Sequence, residues 1–480
     1  MIRTSTRLVA TAILLSSSLA VAQVPPEEDD VEIPAQPTAA PPAPAPPPPT
    51  AAPPAPAPPP PTAAAPVQPT KPETSWLDSL LAAGDHAITG YVQAQYENHQ
   101  DSQDQLLQGG QPLNQDRFLV RRGRLRLDVA YPFTELALEI DGSTTRGPFF
   151  GVRRAEASLV YRSKPWDGKV VPRELRDAEV PYAMLTVGLT EVPFGFELTD
   201  SSRNRVFMER SQASLAFFPG EPDVGVRLSG GLGFFRYALA VMNGEPLDDR
   251  SNTSGRDPNG GKDVIARVGV DTRPTDTLRV SGGVSALYGA GFHRGTDATK
   301  GSVLWRDLNE NSAIDTGEIT ALPGSAATPS ENFDRWAIGL DLELRLKTPL
   351  GTTHVYGEAG IAQNMDRGLF VADPIETGVD LRHLFYYGAI VQEVTRWGLV
   401  GFRVDAYDPN ADFLDNRTGR LLPVSQTITT LSPLVGLQIP GRARLVFQYD
   451  AIFDALSRDE LGVPADLKND RFTLRLQVEK

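Results

Sequence analysis

Pro181-Tyr-Ala-Met-Leu-Thr-Val-Gly-Leu189 runs into Thr190-Glu-Val-Pro-Phe-Gly-Phe-Glu197, on to Met208-Glu-Arg-Ser211, and out through Asp223-Val-Gly-Val-Arg-Leu-Ser-Gly230. The whole reads as strand, long inward loop, strand. The connector fits neither a hairpin turn nor a helix, and at its length an aperiodic connection is functional or disordered. Pro193, Phe194, Phe196, Phe207, Phe217 and Phe218 supply too much apolar surface for disorder.

Around this stretch the chain alternates. In Arg117–Tyr131, Leu119, Leu125, Leu127, Val129 and Tyr131 are assigned to one face and Arg122, Arg124, Arg126 and Asp128 to the other. A soluble sandwich alternates too, but here many segments are long enough to cross a bilayer at a tilt. Aromatics such as Tyr91, Tyr96, Tyr131, Phe133 and Trp397 sit near segment ends, and short turns alternate with long polar loops. Sixteen segments can be marked from Ala87 onward, beginning 87–97, 116–130 and 133–141 and ending 425–438, 441–453 and 470–479. An even count lets a sheet close and lose its edges. The predicted fold is all-β: a transmembrane antiparallel β-barrel of about 16 strands over residues 86–480, with an inward-folded constriction loop.

Upstream, Arg3 and Arg7, the apolar run Leu8–Leu15 and Ala20-Val-Ala22 have the order of a secretory signal over residues 1–22. Residues 23–74 form a Pro/Ala-rich linker in which Thr38–Pro49 recurs as Thr50–Pro61. In polyproline II conformation it would span at most about 150 Å, as a spacer or as an arm touching the cell wall. Ser75 caps a short helix expected over 75–85. No later window is apolar enough for a membrane helix. The absence of Cys excludes disulfides and thiolate metal sites, and a formal charge of −14 argues against nonspecific nucleic-acid binding.

The central stretch resembles the phosphate-selective porin O and P family of outer-membrane channels. The resemblance rests on Val187-Gly-Leu-Thr-Glu-Val-Pro-Phe-Gly195, Phe207-Met-Glu-Arg-Ser211, Phe218-Pro-Gly220, Asp223–Gly230 and Tyr237-Ala-Leu-Ala-Val-Met-Asn-Gly-Glu245. It implies a bacterial outer-membrane location, a homotrimer of sixteen-stranded barrels whose third long loop narrows each pore, and passive passage of small anionic solutes such as phosphate, with no cofactor required.

An anion pathway needs Arg or Lys that replace hydration without holding the ion too tightly. The candidates are Arg122, Arg124 and Arg126 on one strand, Arg154 on another, and Arg203, Arg205 and Arg210 in the loop. A second reading makes them wall residues balanced by Asp128, Glu156 and Glu209 in a network that ties the loop down. No Lys occurs between Thr190 and Gly261, which leaves general diffusion with mild anion preference as an equal alternative.

Asp307-Leu-Asn-Glu-Asn-Ser-Ala-Ile-Asp-Thr-Gly-Glu318 places Asp307, Asn309, Asn311, Ala313, Asp315 and Glu318 at Ca²⁺-loop spacing, with Ser312 where Gly is usual. Ca²⁺ in an outward loop and a solvated turn are the two readings. His86, His99, His293, His354 and His383 are scattered, and no catalytic motif has a suitable context, so an enzyme is not expected. A structural or adhesive envelope barrel is the remaining alternative to a channel.

Overall fold

The computed structural model describes residues 85–100, 116–145, 147–162, 180–244, 257–415, 419–454, 457–458, 464–466 and 468–480. The expected signal, linker and helix lie outside them, except for Asp85, which opens the first strand.

Sixteen antiparallel strands close a barrel. They are β1 (Asp85–His99), β2 (Asp116–Ala130), β3 (Thr134–Ser143), β4 (Phe149–Tyr161), β5 (Ala183–Thr190), β6 (Asp223–Leu232), β7 (Phe235–Met242) and β8 (Asp263–Thr275). The second half comprises β9 (Leu278–His293), β10 (Glu331–Thr348), β11 (Gly351–Gln363), β12 (Arg382–Glu393), β13 (Gly398–Asp408), β14 (Ile428–Ile439), β15 (Ala443–Phe453) and β16 (Arg471–Glu479). Each strand pairs with its neighbours in sequence, and β1 pairs with β16 from Tyr91↔Glu479 to His99↔Arg471. Closure leaves no edge on which another chain could template.

The two faces of each strand have opposite character. On β16, Leu474, Leu476 and Val478 point outward while Thr473, Arg475 and Gln477 are buried in the lumen. The same alternation gives an outer surface of Val, Leu, Ile and aromatics, with Leu340 58 % and Phe118 85 % exposed. So much exposed apolar surface is untenable in water and fits the hydrocarbon of a bilayer.

At one end of the barrel lie tight turns such as 233–234, 276–277, 349–350 and 440–442, where the chain also enters β1 and leaves β16. At the other lie the connections 294–330, 364–381 and 409–427, and the 191–222 loop that turns inward.

Candidate functional site

The inward loop is held by packing before it is held by charge. On β12, His383, Phe385, Tyr387, Ala389 and Val391 face the lumen, so this strand is apolar inside as well as outside. The reason is that the loop packs there. Phe194, Phe217 and Phe218 pack with Met242, Ile265, Leu287, Phe385 and Tyr407 into one cluster. Phe207 and Met208 join Tyr387, Val391, Leu399, Leu434 and Val446 in a second. Truncating a buried Phe of this kind typically costs about 3–5 kcal/mol.

The sequence reading assigns no helix to the connector. The structure corrects this with one short helix, α1 (Gln212–Phe217), whose N-cap Ser211 accepts a hydrogen bond from the Ser214 amide. Six residues are too few to show a 3.6-residue period in sequence. Ser211 is fixed in turn by Glu197, whose Oε2 accepts from the Ser211 amide and from the Ser211 and Ser214 hydroxyls, each at 2.8 Å.

The loop's first corner depends on Gly195, at φ +63°, where an added Cβ would lie 2.3 Å from a carboxylate oxygen of Glu358. That close approach lets Glu358 Oε1 accept the amides of Phe196 at 2.7 Å and Glu197 at 2.5 Å, while Ser285 Oγ accepts the amide of Gly195 at 3.0 Å. Further along, Gln448 accepts the amide of Met208 at 3.0 Å and Asp405 that of Gln212 at 2.8 Å. Four alternate strands of the second half of the barrel, β9, β11, β13 and β15, thus take hold of the loop backbone.

The charged residues complete the attachment, and here the alternation read from sequence needs correcting. The β1–β2 register slips between Gln93 and Ala94, so that Gln93 pairs with Arg122 and Ala94 with Val120. Arg121 is the extra residue of a β-bulge, a device that re-aims side chains. Both Arg121 and Arg122 therefore reach the loop carboxylate of Glu209, at 2.7 and 3.0 Å. Upstream of the bulge the parity inverts, which puts Leu119 in the lumen, 6 % exposed, instead of beside Leu125 outside. The β3–β4 register slips likewise between Glu139 and Ile140, leaving Arg153 as the extra residue. Arg153 reaches Glu221 at 3.0 Å, while its neighbour Arg154 reaches Glu191 at 2.5 Å. The missed residues Arg121 and Arg153 carried a signal: each is the first of an Arg-Arg pair inside a strand, a doublet that strict alternation cannot place.

Arg124 contacts Glu139 at 3.4 Å and Asp141 at 3.1 Å and donates to Ser202 of the loop at 2.8 Å. Arg126 pairs with Asp128 at 2.9 Å and lies 3.9 Å from Glu156. Arg203 pairs with Glu479 at 3.1 Å and Arg210 with Glu221 at 2.8 Å. Arg205 is buried with no carboxylate within 4 Å among the described residues, and it donates to the backbone oxygen of Asp200 at 3.4 Å. Of the three carboxylates read as balancing partners, Glu209 joins loop to wall, whereas Asp128 and Glu156 meet Arg126 within the wall.

One knot in this network is unbalanced. Glu209 receives Arg475 at 3.1 Å as well as Arg121 and Arg122, and the other partners of Arg122 and Arg475 are the neutral Gln93 and Gln95. Three guanidiniums share one carboxylate. Burial pushes the Glu209 carboxyl up, but the charges of Arg121, Arg122 and Arg475 outweigh it and hold the group well below the usual carboxylate range. Burial and the charge of Arg210 lower the affinity of Arg205 for its proton, with Glu197, Asp200 and Glu209 opposing them.

Toward the short-turn end, the underside of the loop roofs a chamber of about 640 Å³. Loop residues Thr199–Ser201, Asn204 and Val206 face wall residues that include Arg345, His354, Val391, Leu399 and Arg444.

Far from the loop, between β9 and β10, Asp307–Glu318 is flanked by paired segments Ser302–Trp305 and Ile319–Leu322. Asp307 accepts the amides of Asn311 at 3.2 Å and Ser312 at 2.7 Å. Asp315 accepts the side-chain amides of Asn309 and Asn311, and Asn311 accepts the amide of Ala313. Glu318 accepts from Leu308, Asp315 and Trp305. Ser312 takes the left-handed φ of 58° that the Gly of such loops supplies. The donor oxygens suit a hard cation, although among the described residues no three His, Asp or Glu groups are gathered to hold one.

No family model and no curated protein matches the chain. Solved structures do resemble it in form. An anion-selective porin from Comamonas acidovorans aligns over 82 % of this chain and 99 % of its own, at 12 % identity and TM-score 0.46. OprB of Pseudomonas putida aligns over 84 % and 96 %, at 11 % identity and TM-score 0.48. OmpT of Vibrio cholerae, in a trimer form, aligns over 83 % and 100 %, at 11 % identity and TM-score 0.44.

Proposed function

We propose that this chain is an outer-membrane channel for passive passage of small polar solutes, with a preference for anions such as phosphate. The observation that carries the reading is the knot at the level where the loop crosses the lumen: Arg121, Arg122 and Arg475 converge on the single carboxylate of Glu209. At the knot itself three guanidiniums face one carboxylate, and fixed charge in a narrow passage is weakly screened. Guanidinium suits phosphate because its planar fork donates two bonds at once. Arg124, Arg154 and Arg203 staple the loop to the wall, Arg210 pairs within the loop and Arg126 within the wall, so these set the width of the passage instead of its charge.

The apolar outer face would be solvated by outer-membrane lipids. A homotrimer, as the resemblance to the O and P family implies, is the assembly we propose. The reading requires neither energy input nor a cofactor.

The test is the reversal potential of the purified protein in a planar bilayer under a KCl gradient, repeated with phosphate. Anion preference is expected, with phosphate reducing the chloride current. Arg205→Glu should move the reversal potential toward cations, whereas Arg126→Gln should leave it nearly unchanged. Conductance without selectivity would reduce the reading to general diffusion. Absence of current would favour a structural envelope barrel.

A further inference from the structure

The chamber beneath the loop contains two charges that the network does not use. Its other ionic groups are committed: Arg154 to Glu191 at 2.5 Å, Arg279 to Asp271 at 2.9 Å, and both Arg345 and His354 to Glu343 at 2.6 and 2.8 Å. Glu393 accepts the amide of Thr352 at 2.9 Å and the side chain of Gln438 at 3.1 Å.

Asp200 and Arg444 differ. Among the described residues, the Asp200 carboxylate makes no hydrogen bond and no ion pair within 4 Å, although it lines the chamber. Arg444 has no carboxylate within 4 Å among the described residues and spends its donors on the backbone oxygens of Arg203, Asn204 and Arg205, at 2.8, 3.2 and 3.2 Å. One spare anion sits on the loop and one under-compensated cation on the wall. Val206, Val391 and Leu399 supply an apolar strip of the same lining.

We propose that this chamber is a binding site for small zwitterions of the α-amino-acid class, with the ligand's ammonium on Asp200, its carboxylate on Arg444 and its side chain along Val206, Val391 and Leu399. The volume lies within the ~300–1,000 Å³ of ordinary small-molecule sites. An unpaired, partly desolvated carboxylate is costly, and an ammonium relieves that cost. Burial raises Asp200 from 3.8 to about 6, and the charges of Arg205 and Arg345 offset it only in part. The site would hold a solute briefly on its way through, so the inference rests on the channel reading.

The experiment is the current through the full-length protein in planar bilayers while L-leucine, N-acetyl-L-leucine or L-leucinamide is added on the short-turn side. L-leucine should interrupt the current at concentrations at least tenfold below either blocked analogue. Asp200→Asn and Arg444→Gln should each abolish this difference while conductance persists, and Arg444→Lys, which keeps the charge should the Gln variant fail to fold, should retain most of it. Equal block by N-acetyl-L-leucine would mean a plain anion site and overturn the proposal, as would no block by L-leucine in a conducting channel. A protein that carries no current at all would instead overturn the channel reading.

Discussion

At the scale of single residues, the lumen depends on which carboxylate each guanidinium meets, and Glu209 has the greatest leverage. Its four contacts come from Arg121, Arg122 and Arg475, two of them adjacent in sequence and the third 266 residues away. Glu209→Gln keeps the shape and removes the charge. The loss of one partner from a buried ion cluster typically costs about 3–5 kcal/mol, here drawn from loop docking. The expected outcome is a reversal potential shifted further toward anions, together with faster protease cleavage of the loop in the folded barrel. An unshifted potential would show that Glu209 lies off the solute path. The alternation in Arg117–Tyr131 places Arg122, Arg124 and Arg126 on the correct side, but not Leu119 and Arg121, because a one-residue bulge is invisible to a period-two pattern. The partners were equally hidden: nothing in a sequence joins Glu209 to Arg475 before the barrel closes.

At the scale of elements, all sixteen strands were legible, since a lipid face and a water-facing lumen impose the same two-residue repeat on each. Strand β2 runs over the residues expected, whereas β1, β3 and β14 shift by one to three residues at both ends and β15 and β16 at their starts, where the apolar face gives way to a loop of mixed polarity. The helix α1 was not legible, because its stability comes from Phe217 against Phe385 and Tyr407, with ring centroids 5.5 and 5.8 Å away, and not from its own six residues. The segment Asp307–Glu318 belongs to this scale as well. We propose that it takes up Ca²⁺, its side-chain oxygens exchanging the loop's own amides for the ion. Calorimetric titration should then show one site per chain, lost in Glu318→Gln, while conductance is unchanged. A titration without heat in the unsubstituted protein would leave the segment as a solvated turn.

At the scale of the whole molecule, two loop carboxylates respond to acid in opposite senses. Glu209 is held well below its ordinary range, so the stability it lends is present at neutral pH and is lost only as pH falls through that depressed value. Asp200 is raised from 3.8 to about 6, so the folded state takes up a proton more readily than the unfolded chain. Its favourable contribution is complete below about 3.8 and disappears as pH rises through about 6. Acidification from pH 7 to pH 5 should therefore leave the loop docked and the conductance intact, while L-leucine block weakens as Asp200 is protonated. Loss of both together would mean that a single group governs docking and block, and would contradict the division of labour between Glu209 and Asp200.

The seam between β1 and β16 has a temporal meaning. Every other ladder of the barrel joins strands that follow one another along the chain, but Gln93 and Gln477, which bond at 2.8 Å, stand 384 residues apart. Loop-closure entropy makes such a contact the slowest to form. Gln477 and Glu479 of the last strand also bind Arg203 of the inward loop. The passage thus acquires its final bore only when the last strand docks, and a half-assembled barrel has two open edges and a loop still free at one of its corners.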